Sequence, residues 1–185
     1  MSVPPDTELL IRARTDPEAF GCLHDRHADA IYAFLARRWG SHQAEDLVSE
    51  VFMRAFESRN RVRPHETGSA LPWLYGIARN VLRQHARAKP RVLPSELMDD
   101  TEWARVDDRL DADAMSTELR AAVAGLSETE REVLLLTSWE QLTIGEAAAV
   151  LGITSNAARV RLHRARAHAA AALAAVPHPF QTQEQ

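Results

Sequence analysis

The chain has 185 residues, of which 45% are hydrophobic, 7 are glycine and 1 is cysteine, and its net charge is -4. This apolar fraction excludes extensive disorder, and the lone Cys22 excludes an internal disulfide. Residues 1–10 lack the basic and apolar regions of a signal peptide, and the longest apolar run, residues 169–176, is far shorter than the roughly 20 residues of a membrane span. Abundant Ala and Leu with little Gly predict an all-α protein, and we expect it to be cytoplasmic.

The charges alternate in blocks along the chain. Residues 58–91 hold eight basic residues and one acidic residue, residues 92–130 hold three and eleven, and residues 154–170 hold four arginines and no acid. The layout indicates two basic surfaces separated by an acidic segment that opens with two prolines and has weak helical periodicity. We therefore predict two small helical domains, over residues 5–90 and 116–176, joined by an acidic linker over residues 91–115.

The first domain contains two clear helix boundaries. Asp16 is a good N-cap residue and is followed by proline at the first helical position, so a long helix is predicted from there to about Trp39. Gly40 ends this helix, and Ser41 is predicted to cap the next one. In that next helix a buried stripe is predicted from apolar residues that recur every three or four positions: Leu47, Val48, Val51, Phe52, Ala55 and Phe56.

The opposite face of this helix is acidic and polar, with Glu45, Asp46, Ser49 and Glu50. Two interpretations are open at this stage. Acids near a helix N-terminus complement the helix dipole, which is worth about 0.3–1 kcal/mol each. Alternatively, these side chains form a docking face for a basic partner.

A polar loop over residues 58–70, containing Arg59, Arg61 and Arg63, precedes a helix with two distinct faces. Its predicted buried stripe is Trp73, Leu74, Ile77, Ala78, Val81 and Leu82, and its second face carries Tyr75, Arg79, Asn80, Arg83, Gln84 and Arg87. Like charges four residues apart cost about 0.2–0.5 kcal/mol per pair, and this helix contains no acid to offset them. The face is either simply solvated or bound to a polyanion. We favour nucleic acid, with Tyr75 stacking on unpaired bases.

The second domain carries the pattern of a helix-turn-helix. Ser127 with Glu130 and Thr143 with Glu146 form two capping boxes, each ahead of an apolar run. The second of these helices ends at Gly152, and a third, capped by Thr154 or Ser155, has an inward stripe of Ala158, Leu162 and Ala165. Its four arginines then face outward, where a major groove would supply the missing negative charge. A generic surface helix is the alternative.

Three segments, in this order, resemble regions 2.2, 2.3–2.4 and 4 of bacterial RNA polymerase sigma factors: "AEDLVSEVFMRAFE", "LPWLYGIARNVLRQHARAK" and "LSETEREVLLLTSWEQLTIGEAAAVLGITSNAARVRLHRARA". With two domains and a short linker, the chain is similar to the extracytoplasmic-function group of the sigma-70 family. The resemblance implies a four-helix domain like sigma region 2, a helix-turn-helix domain like sigma region 4, and a factor that directs promoter-specific initiation. It implies core RNA polymerase and promoter DNA as partners, and an anti-sigma factor as a further one.

The resemblance also implies roles for individual residues. Core polymerase would be bound by Glu45, Asp46, Leu47, Ser49, Glu50 and Phe52. The melted -10 strand would be bound by Arg61, Arg63, Trp73, Tyr75, Arg79, Asn80, Arg83 and Arg87. The -35 duplex would be bound by Thr154, Ser155, Asn156, Arg159, Arg161, His163, Arg164 and Arg166. The acidic linker would thread toward the polymerase active centre. Ser49, where relatives often carry Gln, and Asn156-Ala157, where Gly and Thr are common, depart from the family pattern.

Other classes of protein were weighed against this interpretation. His24, Asp25, His27 and Asp29 could form a metal cluster, but no third His or Cys ligand accompanies them, so we expect solvated helix residues, no cofactor and no catalytic residues. A helix-turn-helix regulator acting without polymerase is the main alternative, and it predicts a sensor or dimerisation domain ahead of residue 116. A protein that only binds sigma factors would not need two basic faces.

Overall fold

The computed structural model describes residues 4–88 and 117–174, and every regular element within those ranges is an α-helix. The eight helices are α1 (Asp6–Arg12), α2 (Pro17–Trp39), α3 (Ser41–Ser58), α4 (Leu71–Ala88), α5 (Thr117–Ala124), α6 (Glu128–Ser138), α7 (Ile144–Leu151) and α8 (Ser155–Ala174). They divide into two compact units, the first holding α1–α4 and the second holding α5, α6, most of α7 and α8. The all-α prediction is therefore confirmed for the described residues. The predicted acidic linker lies outside them.

The first unit is a four-helix domain in which α2 packs against α1, α3 and α4, and α3 packs against α4. Leu23, Ile31 and Leu35 of α2 and Val51 of α3 are almost completely buried at its centre. Burying a side chain of this size contributes about 1.5–3 kcal/mol, so this apolar cluster is the main source of the domain's stability.

The predicted boundaries of α2 are confirmed. The Asp16 carboxylate accepts a hydrogen bond from the backbone N–H of Glu18 at 3.0 Å, and Pro17 occupies the first helical position. The helix ends at Gly40, whose φ of +87° is a conformation that favours glycine. The prediction that Ser41 caps α3 was wrong: Ser41 is the first residue of α3, and Gly40 itself occupies the N-cap position without a side-chain hydrogen bond.

Helix α1 was not predicted from the sequence, and it is fixed by a buried ionic cluster. The Asp6 carboxylate, only 8% exposed, accepts hydrogen bonds from Arg26 at 2.5 Å, from His27 Nε2 at 2.8 Å and from the backbone N–H of Ala70 at 2.8 Å. Burial opposes ionisation of Asp6, but the Ala70 hydrogen bond and the His27 and Arg26 side chains outweigh it, so the pKa of Asp6 is lowered.

His27 is a correction to the expectation of a solvated helix residue, because it is only 7% exposed. Burial lowers the pKa of His27, and the neighbouring Asp6 carboxylate opposes that effect only in part. His24 is exposed and bonds its neighbour Asp25. Within the part of the chain that the structure describes, no three His, Cys, Asp or Glu side chains are arranged to hold a metal ion.

The second unit is built from locally capped helices packed around α8, which contacts both α5 and α6. Both predicted capping boxes are present: Ser127 Oγ accepts from the N–H of Glu130 at 3.4 Å, and Thr143 Oγ1 accepts from the N–H of Glu146 at 3.2 Å. In each case the glutamate reaches back to the N–H of the capping residue. Since each cap spans only four residues, these helix starts are encoded locally.

Candidate nucleic-acid interface

The exposed side of α3 carries the acidic face, which we define as Glu45, Asp46 and Ser49, all three exposed. Ser49 Oγ donates a hydrogen bond to the Glu45 carbonyl at 3.3 Å and so stays close to the helix surface. Leu47 and Phe52 were also predicted to contact a partner, but they are 3% and 5% exposed and pack in the core. In this structure both side chains belong to the core and offer a partner almost no surface, so we leave them out of the docking surface.

Glu50 is placed differently from the other acids of α3. Its carboxylate accepts hydrogen bonds from Arg54 on the same helix and from His85 Nε2 on α4, the latter at 2.7 Å. The side chain is 29% exposed, so a partner could still reach it. Its first role in this structure is nevertheless to tie α3 to α4.

Met53 is a surface residue that sequence reasoning missed. Its side chain is 62% exposed, more than any other large hydrophobic residue among those described. It follows Glu45 and Ser49 at spacings of eight and four residues, so it extends the acidic face along the same side of α3. This spacing was the signal in the sequence, and it was missed because methionine is usually a buried residue.

Helix α4 carries a basic face, Asn80, Arg83 and Arg87, whose side chains are exposed. None of the ion pairs among the described residues involves Arg83 or Arg87. A groove of about 440 Å³ runs between α3 and α4, and it is lined by Arg54, Ser58, Ile77, Asn80, Arg83, Gln84 and Arg87. Its cationic and amide groups suit the phosphates and base edges of a nucleic-acid strand.

Two aromatic residues of α4 depart from expectation. Tyr75 was predicted to stack on bases, but it is 2% exposed and packs against Phe34 of α2 with ring centroids 4.9 Å apart. It is therefore a core residue, because α4 is contacted by both α2 and α3 and buries a wider arc than one stripe. Trp73, placed in the buried stripe, is only half-buried and keeps an accessible surface for a base.

The loop between α3 and α4, residues 59–70, is called the arginine loop here. Arg61 and Arg63 are exposed, whereas Val62 between them is 7% exposed and points into the domain. Arg59 is less exposed than Arg61 and Arg63. Its guanidinium lies 3.7 Å from the Phe56 ring centroid and donates a hydrogen bond to the Ala13 carbonyl at 2.9 Å. The loop thus presents two of its three arginines to solvent.

Helix α8 follows a tight turn at Gly152, which has a φ of +66°. Thr154 Oγ1 accepts a hydrogen bond from the N–H of Ala157 at 3.2 Å, so Thr154, one of the two predicted candidates, caps α8. The inward stripe of Ala158, Leu162 and Ala165 is confirmed as buried, and Ala169 extends it.

The outer face of α8 is strongly basic. Arg159, His163, Arg164 and Arg166 are exposed, as are Thr154, Ser155 and Asn156 at the start of the helix, and Arg161 is half-buried. No acidic side chain within residues 4–88 or 117–174 pairs with any of the four arginines. A helix held by a buried stripe of small residues, with unpaired cations outside, has the chemistry of a helix that enters the major groove.

Two family descriptions match the chain: "Sigma-70 region 2" over residues 23–92 and "Sigma-70, region 4" over residues 116–168. The first match contains the acidic face, the arginine loop and the basic face of α4, and the second contains α7, the turn at Gly152 and α8 as far as residue 168. In the described ranges no helix is long and apolar enough to cross a lipid bilayer.

Individual proteins agree with these matches. The RNA polymerase sigma factor CarQ of Myxococcus xanthus is 34% identical over 150 residues, which cover 80% of this chain and 84% of CarQ. The ECF RNA polymerase sigma factor BldN of Streptomyces coelicolor is 31% identical over 164 residues, which cover 85% of this chain but only 62% of BldN. The solved structure of CnrH in complex with the cytosolic domain of CnrY superposes with a TM-score of 0.66 at 27% identity, covering 93% of this chain and 99% of CnrH. The chain therefore belongs to the extracytoplasmic-function group of sigma-70-family RNA polymerase sigma factors.

Proposed function

We propose that this chain binds core RNA polymerase in the cytoplasm and directs promoter-specific initiation of transcription. In this proposal α8 binds the -35 element as duplex, and the arginine loop with the basic face of α4 holds the melted -10 strand. The chain supplies no catalytic residue and no cofactor, because the polymerase performs the chemistry. The three predicted parts, residues 5–90, 91–115 and 116–176, serve as -10 module, connector and -35 module.

One observation carries the proposal: the chain separates surfaces of opposite charge within a single polypeptide. The acidic face lies on α3. Among the described residues, no acidic side chain pairs with Arg83 or Arg87 of α4, or with the four arginines of α8. An acidic face and basic faces attract different partners, a basic protein surface and a polyanion. A regulator that bound DNA alone would have no use for the acidic face.

The docking surface is proposed as Glu45, Asp46, Ser49 and Met53, with Glu50 at its border. The -10 surface is proposed as Arg61, Arg63, Trp73, Arg79, Asn80, Arg83 and Arg87. The -35 surface is proposed as Thr154, Ser155, Asn156, Arg159, Arg161, His163, Arg164 and Arg166. CnrH was solved with the cytosolic domain of another protein bound to it, which supports a similar regulatory partner, an anti-sigma factor, for this chain.

The experiment is to mix the purified chain with sigma-free core polymerase and genomic DNA, and then to sequence the 5′ ends of the transcripts. Discrete new start sites that share two upstream elements are expected. A chain that binds promoter DNA but neither binds core polymerase nor starts transcripts would overturn the proposal. It would then favour the helix-turn-helix regulator that acts without polymerase.

A further inference from the structure

The N-terminal segment is hydrogen-bonded to the arginine loop near both ends of that loop. Four hydrogen bonds join them: Ala70 N–H to Asp6 Oδ2 at 2.8 Å, Thr7 Oγ1 to the Gly68 carbonyl at 3.2 Å, Arg14 to the Val62 carbonyl at 3.0 Å, and Arg59 Nε to the Ala13 carbonyl at 2.9 Å. These contacts meet the loop at residues 59 and 62 near its start and at residues 68 and 70 near its end. Its conformation is therefore set from outside the loop.

The loop has little structure of its own. It spans twelve residues without helix or strand. Its local backbone hydrogen bonds run from Arg59 to Phe56 and from Arg61 to Ser58 at the end of α3, from Leu74 to Ala70 at the start of α4, and from Gly68 to His65 inside the loop, where His65 also bonds Thr67. Gly68 has a φ of +76°, and a β-carbon there would lie 3.1 Å from Thr7 Oγ1. Loops of this length depend on packing against neighbouring elements to hold one conformation. Helix α1 provides that packing.

Asp6 connects the end of the loop to α2. The same carboxylate that accepts from Ala70 also accepts from Arg26 and His27 on α2. A buried carboxylate with three donors has a strongly preferred position, because moving it leaves buried polar groups without partners. The start of α4 is thereby held in register with α2 through Asp6.

The fastening determines which side chains face outward. Val62 is anchored twice, by burial of its side chain and by the hydrogen bond from Arg14 to its carbonyl. Its neighbours Arg61 and Arg63 are both exposed. A loop that rotated about Val62 would turn these arginines away from a strand lying on the basic face of α4.

We propose that α1, through Asp6 and Thr7, is a positioning element that fixes the arginine loop before DNA arrives. The inference rests on the proposed function, since it takes the loop to hold the melted -10 strand. A preorganised loop avoids the ordering cost on binding, so loosening it weakens affinity for the single strand. Binding of core polymerase by α3 and of duplex by α8 is unaffected.

The test compares Asp6→Asn and Thr7→Val with Leu35→Val, a control that perturbs the buried core of α2 away from the loop. The probe is a single-stranded oligonucleotide covering the upstream element nearest the mapped start sites, with a scrambled strand as reference. Asp6→Asn is expected to lose about tenfold in affinity for the specific strand, and Thr7→Val is expected to lose less, with core polymerase affinity unchanged in both. Leu35→Val should keep wild-type affinity for the strand even if its thermal stability falls as much as that of Asp6→Asn.

Hydrogen exchange of the free protein provides a readout that needs no DNA. Amides of residues 59–70 are expected to exchange faster in Asp6→Asn and Thr7→Val, while those of α8 keep wild-type rates. Unchanged loop exchange, or an equal loss of strand affinity in Leu35→Val, would overturn the positioning role. A wild-type chain that fails to bind the strand or core polymerase would instead refute the proposed function, whatever the exchange rates.

Discussion

His85 Nε2 on α4 donates a hydrogen bond to Glu50 Oε2 on α3 at 2.7 Å. Because Arg54 donates to the other oxygen, the carboxylate is shared between Arg54 and His85 and joins the helix with the acidic face to the helix with the basic face. Exchanging Glu50 for a cation therefore affects the fold as well as any docking contact.

Glu50→Arg is expected to lower the free energy of unfolding by about 1–2 kcal/mol, since it removes two hydrogen bonds and places a second guanidinium beside Arg54. Glu45→Arg, at an exposed position on the same helix, should leave stability within about 0.5 kcal/mol of wild type. Both variants should weaken core polymerase binding by about tenfold or more, because like charges that face each other across an interface cost several kcal/mol. Denaturant unfolding and fluorescence titration with core polymerase measure the two effects. Wild-type polymerase affinity in Glu45→Arg would remove the acidic face from the docking surface.

Met53 provides a test of the apolar part of the docking surface. Met53→Ser is expected to reduce polymerase affinity roughly tenfold without loss of stability, because an exposed apolar side chain gains its contacts only in a complex. Ile11→Ser is the matched control, since Ile11 is 53% exposed on α1, away from α3. Equal losses of affinity for the two variants would show that Met53 has no specific role.

The basic face of α8 predicts a defined salt dependence. Each phosphate contact contributes about 0.9 to the slope of log affinity against log salt, so Arg164→Ala should reduce the slope for -35 duplex by about that amount. Arg161→Ala should lower promoter binding while core polymerase affinity stays unchanged. Duplex binding measured at several salt concentrations checks both variants. An unchanged slope in Arg164→Ala would mean that this side chain does not contact a phosphate.

His27 predicts a stability change with pH. Burial lowers the pKa of His27 in the folded chain below its unfolded value of about 6.5, so the unfolded state binds the proton first as the pH falls. The contribution of neutral His27 to the free energy of unfolding is therefore fully present above about pH 6.5 and declines as the pH falls below that value. Asp6, whose pKa is also lowered, stays ionised between pH 8 and pH 5. Its stabilising contribution is lost only below about pH 4, where the carboxylate becomes protonated.

The measurement is the difference in unfolding free energy between wild type and His27→Gln from pH 8 to pH 5. Glutamine keeps a hydrogen-bond donor for Asp6 but does not titrate. As the pH falls, the wild type should therefore lose stability relative to His27→Gln. The other histidines are common to both proteins and cancel. A difference that stays constant across this range would contradict the assignment of a buried, neutral His27.

Features encoded over a few residues were predictable from the sequence. The Asp16 cap, the two capping boxes, the turn at Gly152 and the buried stripe of α8 each depend on neighbours within about four positions, and all are present. The all-α class and the family follow from the same kind of local pattern.

Features that depend on packing between distant elements were not predictable. Periodicity could not show that α4 is covered from two sides, which buries Tyr75 against Phe34. It also could not show that Glu50 bonds His85 thirty-five positions away. For Leu47 and Phe52 periodicity correctly predicted the core, whereas the contact with a partner was implied only by the family resemblance. Helix α1 is short, so its sequence carries little periodicity. It is held in place through Asp6, whose partners are His27 of α2 and Ala70, the residue before α4.

The separation of Asp6 from Ala70, 64 positions in the sequence, also has a consequence for synthesis. At about 5–20 residues per second, a ribosome needs roughly 3–13 seconds to add the residues between them. During that interval the emerging N-terminus holds a carboxylate whose final donor does not yet exist. The capping boxes of the second unit close within three residues, so its helix starts can form without such an interval, although its packing around α8 cannot.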